Sequence, residues 1–377
     1  MTEVHGLVEP GFEPVRDVFV ANFERGEVGA SCCVYAGGRP VVDIWGGTVA
    51  PGSAEPYTDR HLQLVASATK GAMAICASRL AERGELDFDA PVARYWPEFA
   101  AAGKQDIPVR WLFSHQAGLV GVDVAVGLKE FCDWPIMVDA LAAQKPFWEP
   151  GTAHGYHAWT YGWLAGEVMH RITGKLPGEL LADEITGPLG IDFYVGLPES
   201  ELHRVVPLNP PRPQATPDRL AALLVDPNGL AYKAFFVPNG MLGALNDQDL
   251  IRAQLPAANG MASARALARM YAACLGEIDG VRLLGPETVA AAMVPQTSGT
   301  DRVLTFASRF GLGFQLSFPE RPMAGEGSFG HYGLGGSVGF AHPERGFSFG
   351  YAVNQMFPGG TADPRSTALI AATLACF

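Results

Sequence analysis

The sequence predicts an α+β protein, in which an antiparallel sheet with flanking helices is built from both termini and a mainly helical lobe is inserted between. Runs rich in β-branched and aromatic residues lie early, from Val28 to Tyr35 and Pro40 to Trp45. They return late, from Gly311 to Phe318, Ser337 to Ala341 and Phe347 to Asn354. From Leu86 to Gly260 short helical patterns alternate with Pro/Gly loops. At 377 residues the chain is long enough for two lobes. The division expected is 1–85 with 261–377 as an α/β domain, and 86–260 as a helical, loop-rich domain.

After an irregular start, Val15 to Phe23 reads as a first helix that ends at Gly26. Gly37-Gly38 between the first two β runs is a hairpin signal. A helix starting at Ser67 runs to Arg83, with Ala68, Ala72, Ile75, Cys76 and Leu80 as its apolar face and Gly84 as its stop. Prolines from Pro207 to Pro217 exclude regular helix and predict an exposed loop. Ser263 caps a helix to Leu275, Pro286 opens another after Gly285, and a last helix spans Pro364 to Leu374.

Composition narrows the function. With 48% hydrophobic and 18% charged residues the chain is globular. A net charge of -12 with no Lys/Arg cluster excludes nucleic acid as a partner. The N-terminus lacks the pattern of a secretory signal, no segment is apolar enough to span a bilayer, and the six cysteines form no Cys-x-x-Cys pair. A cytoplasmic protein with buried free thiols is expected. Cys32 and Cys33, adjacent on one strand, should point to opposite faces. No His-Glu-x-x-His spacing occurs, so neither a metal nor another cofactor is implied.

The chemistry starts at Ser67-Ala68-Thr69-Lys70. Three residues on a helix leave two side chains about 60° apart, so a hydroxyl and an amine can touch. An amine kept neutral by burial can take a serine's proton and make the hydroxyl a nucleophile. Of the six lysines, only Lys70 follows a serine at this spacing. Two downstream stretches could complete a site. Tyr156 lies in Gly155-Tyr156-His157-Ala158, after the turn Trp148-Glu149-Pro150-Gly151, and is the candidate proton relay. Gly330-His331-Tyr332-Gly333-Leu334-Gly335-Gly336-Ser337 is a glycine-dense approach to a strand. His331 is expected to line the site, His154 and His157 flank Tyr156, and His115 is expected to bond backbone in its own loop. A rival pattern, Gly335-Gly336-Ser337-Val338-Gly339, fits the nucleophile elbow of α/β-hydrolases. The acid-then-histidine order that fold requires is missing after Ser337, and strand rather than helix follows.

Taken jointly, these motifs resemble the serine β-lactamase and penicillin-binding-protein superfamily, and most closely the family VIII carboxylesterases related to class C β-lactamases. The resemblance covers most of the chain, through Ala66–Lys70, Gly84–Val92, Leu112–Leu119, Gly155–Ala158 and Gly330–Ser337. It implies a β-lactamase/transpeptidase-like fold, Ser67 as nucleophile, Lys70 as its base and Tyr156 as the first residue of a Tyr-x-Asn element. The oxyanion hole it implies uses the N–H groups of Ser67 and Leu334. The chain departs from the family twice: Ala158 stands for the asparagine, and His331-Tyr332-Gly333 for Lys-Thr-Gly. No lysine follows Lys233. In β-lactamases that lysine helps hold the substrate carboxylate, so a neutral ester is the expected substrate. The expectation is a serine carboxylesterase for small, short-chain esters, working through an acyl-enzyme. Gly333, Phe147, Trp159, Phe235 and Phe236 join His331 as substrate-binding candidates. The alternatives are a β-lactamase or D-amino-acid peptidase with the same nucleophile, an acyltransferase, and a non-catalytic binding or scaffold descendant. None of the motifs bears on oligomeric state.

Overall fold

The computed structural model describes residues 2–212, 219–238, 240, 244–358 and 361–377. Strand β1 is Val4–Val8, β2 is Gly29–Ala36 and β3 is Arg39–Gly47. The turn joining β2 to β3 uses Gly37 and Gly38 at φ 57° and 78°, a conformation that glycine adopts without steric cost. Two short strands follow, β4 (Gln63–Leu64) and β5 (Phe193–Tyr194), then β6 (Met261–Ala262). The C-terminal part supplies β7 (Thr297–Thr300), β8 (Ala307–Phe310), β9 (Gln315–Leu316), β10 (Phe329–Tyr332), β11 (Val338–His342) and β12 (Phe347–Val353).

Nine of these form one antiparallel sheet in the order β1-β3-β2-β12-β11-β10-β9-β8-β7, so N- and C-terminal strands meet at β2 and β12. In that pair Cys32 faces Tyr351 and Cys33 faces Gly350. Cys32 joins the core under the terminal helices Glu13–Glu24 and Pro364–Leu374, with Val15, Phe19, Leu369 and Ile370. Cys33 joins the larger core on the other face, with the Thr69–Glu82 and Ala264–Leu275 helices. The strand's period of two thus divides adjacent thiols between two cores. The remaining strands make a small sheet, β4-β6-β5. Between β4 and β6 the described residues are otherwise helices and loops. No helix among the described residues is long and apolar enough to cross a membrane.

The expected helices at Glu13–Glu24, Ala264–Leu275, Pro286–Ala292 and Pro364–Leu374 are present. Ser263 Oγ accepts from Ala266 N at 3.2 Å, closing the predicted cap. Three expectations are corrected. The start is a strand, β1, whose middle three residues are exposed, so no alternation marked it. Only Gln315–Leu316 of the 311–318 run is strand, whereas β7 and β8, read as neither strand nor helix, extend the sheet edge. The Thr69–Glu82 helix has no single apolar face: Thr69 through Ser78 are all buried, because Gly71, Ala72, Ala74 and Ala77 are small enough to be enclosed from every side. Of the predicted Pro207–Pro217 loop, Pro207–Arg212 contains neither helix nor strand, and residues 213–217 lie outside the described residues.

Candidate active site

Ser67 sits on a single 3-10 turn, Ala66–Ala68, that leads into the Thr69–Glu82 helix. Ala66 holds φ at 46°, in the left-handed region that costs an ordinary residue about 1–2 kcal/mol. Local bonds hold it there. Val65 N donates to Gly260 O at 2.9 Å, Thr69 Oγ1 donates to Ala66 O at 2.6 Å, and Gly260 N donates to Thr69 Oγ1 at 3.0 Å. The result lifts Ser67 to a half-buried position between buried neighbours.

Lys70 is fully buried, and its Nζ lies 3.2 Å from Ser67 Oγ, 2.7 Å from Ala158 O and 3.0 Å from Ala257 O. Carbonyls can only accept. A neutral amine has two N–H groups and one lone pair, so when the N–H groups serve the two carbonyls the lone pair faces the Ser67 hydroxyl. Electrostatics favour that state: burial, and then the Arg321 charge, hold the Lys70 amine well below its ordinary range.

Tyr156 covers this pair. Its side chain reaches toward the Ser67 hydroxyl, and Lys70 Nζ is 4.8 Å from its ring centroid. Burial pushes the phenol up, outweighing the lowering influence of the Ser67 hydroxyl and the Arg321 charge, so Tyr156 stays protonated through neutral pH. Its ring meets His115 at 5.0 Å, Phe310 at 6.0 Å, and Phe235 and His331 at 6.1 Å each.

The loop carrying Tyr156 is anchored by Asp301 and Ser308, which no sequence pattern singled out. Fully buried Asp301 accepts at Oδ1 from the backbone N–H groups of Tyr156, Val303 and Leu304, at 3.0, 2.8 and 2.9 Å. Its Oδ2 accepts from Ser308 Oγ at 3.0 Å, and that hydroxyl lies 3.0 Å from His154 Nε2. Replacing Asp301 with alanine is expected to lower kcat about 100-fold, since an ångström of misplacement at a reacting group has an effect of that order. Asp301→Asn keeps an oxygen for the three N–H groups and should retain most activity. Steady-state kinetics on both variants, with circular dichroism for the fold, checks this.

The histidines divide by partner. His157 accepts from Leu119 N at Nε2 (3.0 Å) and donates from Nδ1 to Gly155 O (2.7 Å), and burial pushes it down to about 3. His115 bonds backbone, as expected, but that of His157 rather than its own loop, at 3.1 Å. His331 donates from Nδ1 to Tyr332 O at 2.7 Å, while its Nε2 has no partner among the described residues. Burial holds both His115 and His331 well below the ordinary range, so all three rings are neutral.

Where the resemblance places an oxyanion hole, the backbone comes close to Ser67. A Cβ on Gly333 would lie 2.2 Å from Val65 O, so only glycine permits the approach. Among the described residues, none accepts a backbone hydrogen bond from Ser67 N or Leu334 N. Ser337 is 1% exposed and leads into β11, the arrangement of a strand entry. Phe235 packs tilted against Tyr156, with 36° between the ring planes. Trp159 and Phe236 line a neighbouring cavity instead, and Phe147 lies under the Lys233 ammonium at 5.0 Å. Arg321, 9% exposed with its guanidinium 5.7 Å from the Tyr332 ring centroid, brings a positive charge to the His331 side. It comes from the Pro-flanked loop before β10, outside every motif.

The group within reach of the Ser67 hydroxyl is thus an amine, not an imidazole. On this sheet, with its buried helix, that places the protein among the serine hydrolases of the β-lactamase fold. The chain belongs to the β-lactamase family, whose model matches residues 10–373. It is 36% identical over 362 residues to the esterase/β-lactamase LipL of Mycobacterium tuberculosis, covering 94% of this chain and 83% of that protein. A solved structure described as a family VIII carboxylesterase is 39% identical with a TM-score of 0.91. A penicillin-binding-protein homologue from Caulobacter crescentus is 36% identical with a TM-score of 0.90. Both structural comparisons cover 100% of each chain.

Proposed function

We propose that the protein is a carboxylesterase that hydrolyses small, short-chain esters through an acyl-enzyme on Ser67. The observation that carries this is the setting of Lys70: two carbonyls take its N–H groups, which leaves its lone pair for Ser67 Oγ at 3.2 Å. Lys70 takes the hydroxyl proton as Ser67 Oγ attacks the ester carbonyl carbon. The N–H groups of Ser67 and Leu334 hold the resulting oxyanion, each donor contributing about 10²–10³ in rate. The intermediate collapses, the ester C–O bond breaks, and Tyr156 gives its proton to the departing alkoxide. The Lys70 ammonium then returns a proton to Tyr156. In the second half Lys70 takes a proton from water, whose oxygen attacks the acyl carbon, and Ser67 leaves with a proton from the same relay.

The site lies at the seam of the two lobes, residues 1–85 with 261–377 on one side and 86–260 on the other. The cytoplasm is the proposed compartment, since all six cysteines are free, as in a reducing environment. β-Lactam hydrolysis is the second reading, favoured by Arg321, which restores a cation near the position where the family's lysine is missing. At 9% exposure Arg321 is poorly placed to meet a substrate carboxylate, and this keeps the ester reading first.

The test is to incubate the protein with a fluorophosphonate, with p-nitrophenyl butyrate and with a penicillin. One label per chain on Ser67 is expected, with kcat/KM for the ester at least 10³-fold above that for the penicillin. Comparable turnover of the penicillin would overturn the ester reading, and labelling at Ser337 would overturn the mechanism.

A further inference from the structure

In the turn from Gly333 to Ser337, which joins β10 to β11 and carries Leu334, three glycines are each closed off by a different part of the chain. A Cβ on Gly333 would meet Val65 O, two residues before Ser67. One on Gly335 would lie 3.2 Å from Met356 Cγ, and Phe357 N donates to Gly335 O at 2.8 Å. One on Gly336 would lie 2.3 Å from Asp363 Oδ2. Gly335 and Gly336 also hold φ at 92° and 122°, a path that residues with side chains seldom follow. The turn is thus held between the nucleophile segment on one side and a carboxylate on the other.

That carboxylate belongs to a buried ionic cluster that the proposed reaction leaves unused. Arg365 Nε and Nη2 donate to Asp363 Oδ2 at 2.9 and 2.6 Å, and Nη1 lies 3.0 Å from Glu27 Oε1. The Arg365, Asp363 and Glu27 side chains are only 5%, 1% and 0% exposed, so each ion has given up its water. Nη2 also donates to Gln355 O at 2.8 Å, which ties the guanidinium to the segment that leads into Met356 and Phe357. Asp363 Oδ1 caps the last helix by accepting from Arg365 N at 2.8 Å. A cap alone needs no buried ion, since serine or asparagine serves as well. The second oxygen, locked by the Arg365 fork against Gly336, is what the cap does not explain.

We propose that Asp363, set by Arg365, is a positioning residue for acyl transfer: it backs the 333–337 turn so that Leu334 N–H points at the oxygen that becomes the oxyanion on Ser67. The proposal rests on the ester-hydrolase reading above. Asp363 acts through Gly336 and the peptide units back to Leu334, not on the reacting atoms. Without its carboxylate the turn gains room to withdraw toward the last helix, and the donor leaves the place where charge develops.

The test reads the second-order rate at which a fluorophosphonate labels Ser67, a reaction in which Ser67 Oγ displaces fluoride at phosphorus while the P=O oxygen occupies the oxyanion hole. Asp363→Ser keeps a helix cap and leaves Arg365 paired with Glu27, so it should fold. Its labelling rate, and its kcat/KM for p-nitrophenyl butyrate, should both fall about 10- to 100-fold. The acid limb of kcat/KM, which reports Lys70, should keep its midpoint, because the base is untouched. Asp363→Asn keeps the volume against Gly336 and the Oδ1 bonds from Arg365 N and Nε, and should recover most of the loss. Should Asp363→Ser fail to fold, Gly336→Ala replaces it: the added methyl meets Oδ2 and must push the turn away, with a loss of the same order expected. All rates are taken per labelled site, counted by intact mass, so a variant that is merely less stable loses sites and not rate. Unchanged rates per site in Asp363→Ser, or in a folded Gly336→Ala, would overturn the positioning role, and ester turnover by the wild type would leave the ester reading standing. A displaced acid limb, or an Asp363→Asn as slow as Asp363→Ser, would overturn the role as well. Labelling that slows in Asp363→Ser while the wild type turns over no ester would overturn the ester reading and leave the positioning role. A wild type that is not labelled at Ser67 would overturn both.

Discussion

Ser67→Ala is expected to lower ester turnover by at least about 10⁴-fold and to abolish fluorophosphonate labelling, while the fold survives. The magnitude follows from removing a nucleophile whose partners act as one unit, so the remaining groups rescue little. Folding should be spared because the side chain is half-buried and the hydrogen bond its hydroxyl makes is to Lys70. Lys70 keeps both carbonyls and Tyr156 keeps its ring contacts after the change. The φ of 46° belongs to Ala66, and the Thr69 bonds that hold it do not involve the serine side chain. The check is steady-state kinetics and intact mass after labelling, with the near-UV circular dichroism spectrum as the control for packing. A variant that kept substantial turnover with a native spectrum would show that another group is the nucleophile.

How much of this could be read from sequence depends on what kind of group does the work. Ser-x-x-Lys was legible because both members are side chains at a spacing a helix enforces. The β2–β3 hairpin, the Ser263 cap and the Pro364 helix were legible because their signals are local, being a Gly-Gly turn, a hydroxyl before a helix and a proline in its first turn. The two carbonyls that orient Lys70 were not legible, since every residue carries one and only the fold selects those of Ala158 and Ala257. Asp301 and Arg321 were missed for a related reason. Each acts across more than 100 residues of sequence, on Tyr156 and on Lys70 respectively, from an irregular loop with no motif of its own. The polar β7, Thr-Ser-Gly-Thr, carries no alternation because it lies at the open edge of the sheet.

Those missed groups change what the departures from the family mean. The lysine absent from His331-Tyr332-Gly333 would have been a cation beside Tyr156 and Lys70. Arg321 supplies charge from the preceding loop, and its effect on Lys70 is to favour the neutral amine. The buried rings of His115, His157 and His331 add no compensating charge, since each is held neutral by burial. An apolar, neutral surround with one buried guanidinium suits a base that must be unprotonated. It offers little to an anionic substrate.

Lys70→Met tests that balance directly, and a loss of about 10³–10⁴ in kcat is expected, at the upper end of what a general base contributes. Methionine is of similar length and apolar, so the cavity it leaves is small. Two carbonyls lose their donor, at about 1–3 kcal/mol each, while the cost of burying an amine disappears, so the variant should fold. In the wild type the acid limb of kcat/KM should report Lys70, with activity falling as pH drops through its lowered value. The plateau above it should extend past pH 10, because Tyr156 is raised from its ordinary 10 and stays protonated. Arg321→Met removes a positive charge that lowers Lys70, so the acid limb should move to higher pH. Stability supplies an independent check. Between its lowered folded value and the 10.5 of a free lysine, Lys70 is neutral when folded and protonated when unfolded. The unfolded state binds more protons there, so this residue makes stability rise with pH, and the penalty is gone above the unfolded value. Buried cysteines and tyrosines, raised when folded, act in the opposite direction over the same alkaline window. Comparing denaturant unfolding of wild type and Lys70→Met from pH 7 to 10 cancels those common terms. The difference in stability should shift toward the wild type as pH rises. An unchanged difference would mean that Lys70 is already protonated in the fold and cannot serve as the base.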